Sequence, residues 1–203
     1  MEGSALEATG PFEAKARRSR ITTLVVMVVT GAIIVTVALL TNQSAATADG
    51  ATSVILTGEA TGAAPIVGRL APDFQAPTVD GRTVRLSDFL GQPVWLTFGA
   101  SWCQACRSEN ADIQGAYTRW KDEGVVVLAV FISEDAAAVS DYAGRVGLTY
   151  LQVADTDTRI ASAYRILGIP SHYFIDRTGI LRQMRIGSLD PAMMDAALTE
   201  IRR

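Results

Sequence analysis

Cysteine and histidine are almost missing from this chain, which holds two of the former and one of the latter in 203 residues. So few thiols exclude a scaffold stapled by several disulfides. A structural zinc site needs four ligands, and beyond Cys103 and Cys106 only His172 is on offer. Charge is short as well. The formal net charge is -3, and no Lys/Arg cluster occurs outside the N-terminus, so there is no basic field for nucleic acid. No internal repeat is visible either, which leaves an ordinary globular domain plus one unusual segment.

What little cysteine there is lies together. Cys103 and Cys106 stand three apart in Ser101-Trp102-Cys103-Gln104-Ala105-Cys106, after the strand-like run Pro93–Phe98 and before a helical pattern. Two thiols at the first turn of a helix can close a short disulfide and reopen it. Thiolate is the nucleophile in disulfide exchange, so a reactive cysteine needs its pKa lowered from about 8.5. Unpaired backbone N–H groups and the helix dipole favour an anion at an N-terminus. Cys103 is expected there with its sulfur exposed, and Cys106, one turn further in, is expected to be the buried partner that resolves a mixed disulfide. A purely structural bond closing so small a loop adds little stability compared with one spanning a long loop.

The unusual segment is Ile21 to Leu40, twenty residues without a charge, long enough to cross a bilayer core as a helix. Lys15, Arg17, Arg18 and Arg20 precede it, and no basic residue follows until Arg69. The bias predicts a cytoplasmic N-terminal tail over 1–20, a membrane anchor over 21–40 and everything later outside the cytoplasm. Ala46-Thr47-Ala48 leaves open a cleaved signal peptide, which would export the same domain. Residues 41–64 are small, Thr/Ala/Gly-rich and read as a flexible spacer, with Val54-Ile55-Leu56 as an exception able to pair somewhere. The globular domain is expected over 65–203.

Within it, Asp80-Gly81 marks a hairpin, and Ser87-Asp88 can cap a short helical turn ended by Gly91. Val94–Phe98 and Val125–Ile132 read as core strands, the second continuous enough for a central position. Ile113, Ala116, Tyr117 and Trp120 repeat at helical spacing from Cys103 to about Asp122, with Gly124 as the stop. A helix from Ser133-Glu134-Asp135 to Val146, a strand at 151–154 and a helical turn within 157–164 follow. Strands at 172–175 and 180–186 flank Asp176–Gly179, and Asp190-Pro191 opens a last helix. That order predicts an α/β sandwich with a mixed sheet.

With Trp-Cys-x-x-Cys between the first core strand and first helix, the order resembles the thioredoxin fold. Gly168-Ile169-Pro170-Ser171 before a strand resembles the cis-proline loop of that superfamily. Gly68–Phe74, Asp80-Gly81 and Leu86-Ser87-Asp88 resemble the N-terminal β-hairpin of its redoxin branch. Together with the anchor, the chain is similar to the TlpA/ResA-like membrane-tethered thiol–disulfide oxidoreductases. The resemblance covers residues 65–203. It implies Cys103 as nucleophile, Cys106 as resolving cysteine and Trp102 packed beside the disulfide. It also implies a cis Pro170, with Ile169 presenting backbone groups to an extended substrate strand. Glu109 matches a glutamate that the branch carries three residues after the second cysteine, where it could take the proton of Cys106; the other reading is a solvent-facing helix charge. His172 is either a functional contact or a plain strand side chain.

The implied substrates are protein disulfides outside the cytoplasm, often apocytochrome c, with electrons from a membrane donor, no metal and no cofactor beyond the Cys103–Cys106 couple. Gln104-Ala105 lacks the family's usual proline, so the direction of exchange stays open to an oxidant. Thr97, where cytoplasmic thioredoxins carry a buried acid, argues against a general thioredoxin. Two further readings compete. A peroxiredoxin needs Pro and Thr/Ser where Leu96 and Ala100 stand, and redoxin-fold copper proteins use Cys-x-x-x-Cys, one residue longer than here.

Overall fold

The computed structural model describes residues 27–32, 36, 55–56 and 64–203. The chain divides into two units, residues 1–49 and 50–203. In the first, residues 27–32 and 36 are helical, and Met27, Val28 and Val29 are exposed. Among the described residues no helix is long and apolar enough to cross a membrane. The tail over 1–20 and most of the span expected over 21–40 lie outside the described residues, as does the spacer apart from residues 55–56 and 64.

The second unit is an α/β sandwich. A five-stranded sheet runs in the order β6-β5-β4-β7-β8, formed by β4 (Val94–Gly99), β5 (Val126–Ile132), β6 (Leu151–Asp155), β7 (Ser171–Ile175) and β8 (Leu181–Ile186). Strands β4, β5 and β6 are parallel, while β7 and β8 are antiparallel additions, so the sheet is mixed. A smaller antiparallel sheet holds β1 (Ile55–Leu56), β2 (Phe74–Pro77) and β3 (Thr83–Arg85). The expected N-terminal hairpin is therefore present, and part of the exceptional Val54-Ile55-Leu56 run adds a third strand to it.

Helix α1 (Gln104–Trp120) follows β4, α2 (Ala136–Val146) follows β5, α3 (Arg159–Ala163) follows β6, and α4 (Pro191–Arg202) closes the chain. Their ends obey local chemistry. Asp135 and Asp190 accept the N–H groups of Ala138 and Met193 at 2.8 Å each, and Gly124 and Gly147 take the left-handed conformation after α1 and α2. One expectation is corrected. The turn near Ser87 is a 3-10 segment over Leu86–Phe89, and Asp88 accepts the Arg85 N–H at 3.1 Å instead of capping a turn after itself.

Side chains alternate across the strands, so two cores form. Trp95, Val127, Ala129, Phe131 and Phe174 face α1, α2 and α4, together with Ile113, Val139 and Leu198. Val94, Leu96, Phe98, Val130, Tyr173 and Ile175 face the small sheet and α3, together with Phe74, Ile160 and Tyr164.

Three tyrosines in these cores fix an alkaline limit. Burial, and then the neighbouring Tyr142 and Glu109, push the Tyr150 phenol well above its ordinary value. Burial, Asp73 and Tyr173 do the same to Tyr164, and burial alone raises Tyr173. The unfolded chain ionises these phenols near 10 while the folded chain keeps them protonated. Stability is thus unaffected below that pH and falls as pH rises beyond it, by up to about 1.4 kcal/mol per pH unit for each phenol held neutral. Melting temperature is expected to drop steeply above about pH 10, with the phenolate absorbance of Tyr150, Tyr164 and Tyr173 appearing only on unfolding. Ionisation of all the tyrosines without loss of the melting temperature would contradict this burial.

Candidate active site

The two cysteines lie where β4 ends and α1 begins. Cys103 is the N-cap of α1 rather than its first residue, half-buried, and Cys106 is 4% exposed. They are joined as a disulfide with their Cα atoms 5.3 Å apart. The Cys106 N–H donates to Cys103 Sγ at 3.1 Å, so an unpaired helix N–H already points at the outer sulfur. Upon reduction that donor and the dipole favour charge on Cys103. A site of this shape can form a mixed disulfide at its outer sulfur and close on its inner one.

The loop before Cys103 is held from a distance. Ser101 N–H donates to Glu134 Oε2 at 2.7 Å, and its hydroxyl donates to the other oxygen. Glu134 is buried just before α2, while Thr156 binds its carbonyl at 2.9 Å. Sequence reasoning treated Glu134 only as part of a helix start. No local signal distinguishes an inward carboxylate there, since its partner is 33 residues away.

Trp102 is 58% exposed, so it offers an apolar surface beside Cys103 instead of packing inward. The Ile169–Pro170 bond is cis, as the loop sequence suggests. Ser171 O–H donates to the Gly168 carbonyl at 2.6 Å, and Gly187 N–H donates to the Pro170 carbonyl at 2.8 Å, fixing the loop from both sides. Pro170 is buried and Ile169 half-buried.

Behind the disulfide, Cys106, Glu109, Asn110, Thr97 and Pro170 line a slot of about 10 Å³, close to the room one water needs. The fold thus brings Cys106, Glu109 and Pro170 together, while Trp102 and Ile169 do not line that slot. The solvent-facing reading of Glu109 is overturned: its residue is 3% exposed, and Leu189 N–H donates to Oε1 at 2.7 Å. The reason is helical spacing. Cys106, Glu109, Asn110, Ile113 and Ala116 form one buried stripe of α1, so the carboxylate occupies a core position.

Three more polar side chains were missed at that depth. Asn110 Nδ2 donates to Tyr142 Oη at 2.9 Å, and Tyr150 O–H donates to Asn110 Oδ1 at 3.3 Å. On the other side, His172 Nε2 stands 3.4 Å from Glu109 Oε1, both side chains being fully buried. The histidine is a strand side chain, yet one that faces the carboxylate beside the resolving thiol. Among the described residues no group of three or more His, Cys, Asp and Glu is arranged to hold a metal ion.

Residues 67–184 match the model of the AhpC/TSA family. A thiol-disulfide oxidoreductase ResA from Geobacillus kaustophilus is 33% identical over 136 residues, covering 67% of this chain and 78% of that protein. Among solved structures, a thiol:disulfide interchange protein from Chlorobium tepidum superposes with a TM-score of 0.62 at 26% identity, covering 69% of this chain and 100% of that one. An exposed lipoprotein thioredoxin from Streptococcus pneumoniae gives a TM-score of 0.54 at 29% identity, over 63% of this chain and 98% of that one.

Proposed function

Because the chain belongs to the AhpC/TSA family, as a ResA-like thiol–disulfide oxidoreductase, we propose that it is a tethered reductase of protein disulfides outside the cytoplasm. The observation that carries this reading is the asymmetry of the pair: an outer sulfur receiving a helix N–H, and an inner one buried beside Glu109.

In the proposed cycle the Cys103 thiolate attacks one sulfur of a substrate disulfide. A Cys103–substrate bond forms, and the other substrate sulfur leaves with the electron pair. Cys106 then loses its proton to Glu109 and attacks Cys103 Sγ. The bond to substrate breaks, the second substrate thiolate departs, and the enzyme is left as the disulfide seen here. Two electrons and two protons from a donor thiol protein restore the dithiol. Trp102 and the Ile169–Pro170 loop receive the substrate strand. Residues 21–40 hold the domain at the bilayer, with residues 1–20 inside the cell; the charge bias supports this, and a similar domain occurs in an exposed lipoprotein of Streptococcus pneumoniae. Apocytochrome c, whose haem-site cysteines must be reduced before haem attachment, is the proposed substrate. Leu96 and Ala100 before Cys103 supply neither the proline nor the hydroxyl of a peroxidatic loop, which favours dithiol exchange over peroxide chemistry.

The deciding measurement is the equilibrium potential of the Cys103–Cys106 couple in thiol/disulfide buffers. A value near that of thioredoxin, roughly −270 mV, is expected for a reductase. A value nearer about −120 mV would reverse the electron flow and make the protein an oxidant.

A further inference from the structure

The single histidine is 0% exposed in β7, and the cycle above gives it no task. Its surroundings fix its protonation. Trp95 Nε1–H, which can only donate, is directed at His172 Nδ1 across 3.3 Å. Nδ1 therefore carries no proton, and the neutral ring bears its hydrogen on Nε2. Thr97 Oγ1, 3.1 Å from the same nitrogen, fits as a second donor. The strand register makes this arrangement: Thr97 pairs with His172 and Trp95 with Phe174, so all four side chains share the face that meets α1.

Nε2 lies 3.4 Å from Glu109 Oε1 without a formed hydrogen bond in this disulfide state, while Oε1 accepts the Leu189 N–H. Among the described residues, the buried side-chain atoms left without a hydrogen-bond partner are His172 Nε2 and Glu109 Oε2. Both belong to this one pair. Unpaired polar atoms at such depth are costly, and Glu109 lines the same slot as the resolving Cys106.

We infer that His172 is a positioning residue for Glu109. Trp95 holds its tautomer so that Nε2 carries the hydrogen that can close on Oε1, and Oε1, with the Leu189 N–H, becomes the anchored oxygen. Oε2 is thereby left as the oxygen that takes the proton of Cys106. The inference rests on Glu109 being that proton acceptor. In the step, the Cys106 S–H bond breaks and an Oε2–H bond forms. The sulfur electron pair makes the bond to Cys103 Sγ, and the pair of the Cys103–substrate bond leaves with substrate. An N–H donor favours the charged form of a carboxylate over its protonated form. The other titratable groups nearby are Cys106 on the same helix and the Tyr142 and Tyr150 phenols, with Tyr150 kept protonated by burial. Arg185, opposite His172 on β8, is exposed.

The test follows reduced full-length protein reacting with one equivalent of an aromatic disulfide, between about pH 5 and 9. A first thiolate is released by Cys103 and a second by the closing attack of Cys106. His172→Phe is expected to slow the second release about tenfold at neutral pH and to move its pH profile upward, with the first release unchanged. His172→Gln, which keeps an N–H donor near the place of Nε2, is expected to recover most of the rate. Trp95→Phe removes the indole donor and leaves Thr97 Oγ1 alone on Nδ1, so it should fall between them; it decides the matter if His172→Phe does not fold. Equal slowing by Phe and Gln, or profiles of His172→Phe and Trp95→Phe that superimpose on the parent, would overturn the inference. Glu109→Gln separates the two claims. If it slows the second release and the histidine variants do not, the base stands and the positioning role falls; if it leaves the second release untouched, both fall.

Discussion

A Cys106→Ser chain is expected to stop turning over and to accumulate mixed disulfides through Cys103. The internal thiol is held next to its target, with Cα atoms 5.3 Å apart, and acts at an effective concentration far above that of any external thiol. Without it, release of substrate waits for a bimolecular reductant, and turnover should fall by roughly 10³-fold or more. Cys103 remains half-buried with its helix N–H donor in place, so the first attack survives. Cys103→Ser should behave differently. It leaves only a thiol that is 4% exposed, and neither turnover nor adducts are expected. Non-reducing electrophoresis with mass spectrometry distinguishes the two. Absence of adducts in Cys106→Ser while Cys103 is free would remove the exchange mechanism, and adducts formed as readily by Cys103→Ser would exchange the two roles.

Much of the architecture behind this was legible because its signals are local. Asp-Pro at 190–191, Gly124 and Gly147 mark helix ends through cap chemistry that needs no distant partner. The apolar run after Val125 announced a central strand, and β5 does lie between β4 and β6. Trp-Cys-x-x-Cys at a strand–helix junction located the reacting sulfurs for the same reason.

The polar interior was not legible, and the cause is contact distance. Glu109 stayed open between a proton acceptor and a surface charge because the apolar stripe of α1 was read from Ile113 onward. Stepping that stripe back by three and four reaches Asn110, Glu109 and Cys106, so the information was present but polar residues masked it. His172 meets Trp95 and Thr97 through a strand register set 75 to 77 residues away. Ser101 meets Glu134 across a crossover. Local periodicity carries none of these pairings, and each lies at or next to the disulfide.

The aromatic lock under the small sheet sets the largest expected loss of stability. Tyr164 follows α3 and is 1% exposed. Its ring meets Phe98 of β4 at 5.2 Å, Tyr173 of β7 at 5.0 Å and Phe74 of β2 at 6.1 Å, the last two edge-on. Its hydroxyl donates to the Pro72 carbonyl at 2.6 Å, and Tyr173 O–H donates to the Tyr164 carbonyl at 3.0 Å. One side chain therefore ties the N-terminal hairpin to two strands of the main sheet. Tyr164→Ala empties that junction and is expected to cost about 3–5 kcal/mol, a large part of the roughly 5–15 kcal/mol a domain of this kind holds. Tyr164→Phe keeps the ring and loses only the bond to Pro72, so about 1 kcal/mol is expected. Chemical denaturation gives both values, and limited proteolysis should cut the Ala variant first around residues 72–85, where the hairpin is released. An Ala variant as stable as the parent, or one cut elsewhere first, would mean that the hairpin is held by β1 and the 3-10 turn instead of by this ring. The Phe variant decides how much of the lock is the hydrogen bond: a loss approaching that of Ala would assign it to the Pro72 carbonyl left buried without a donor.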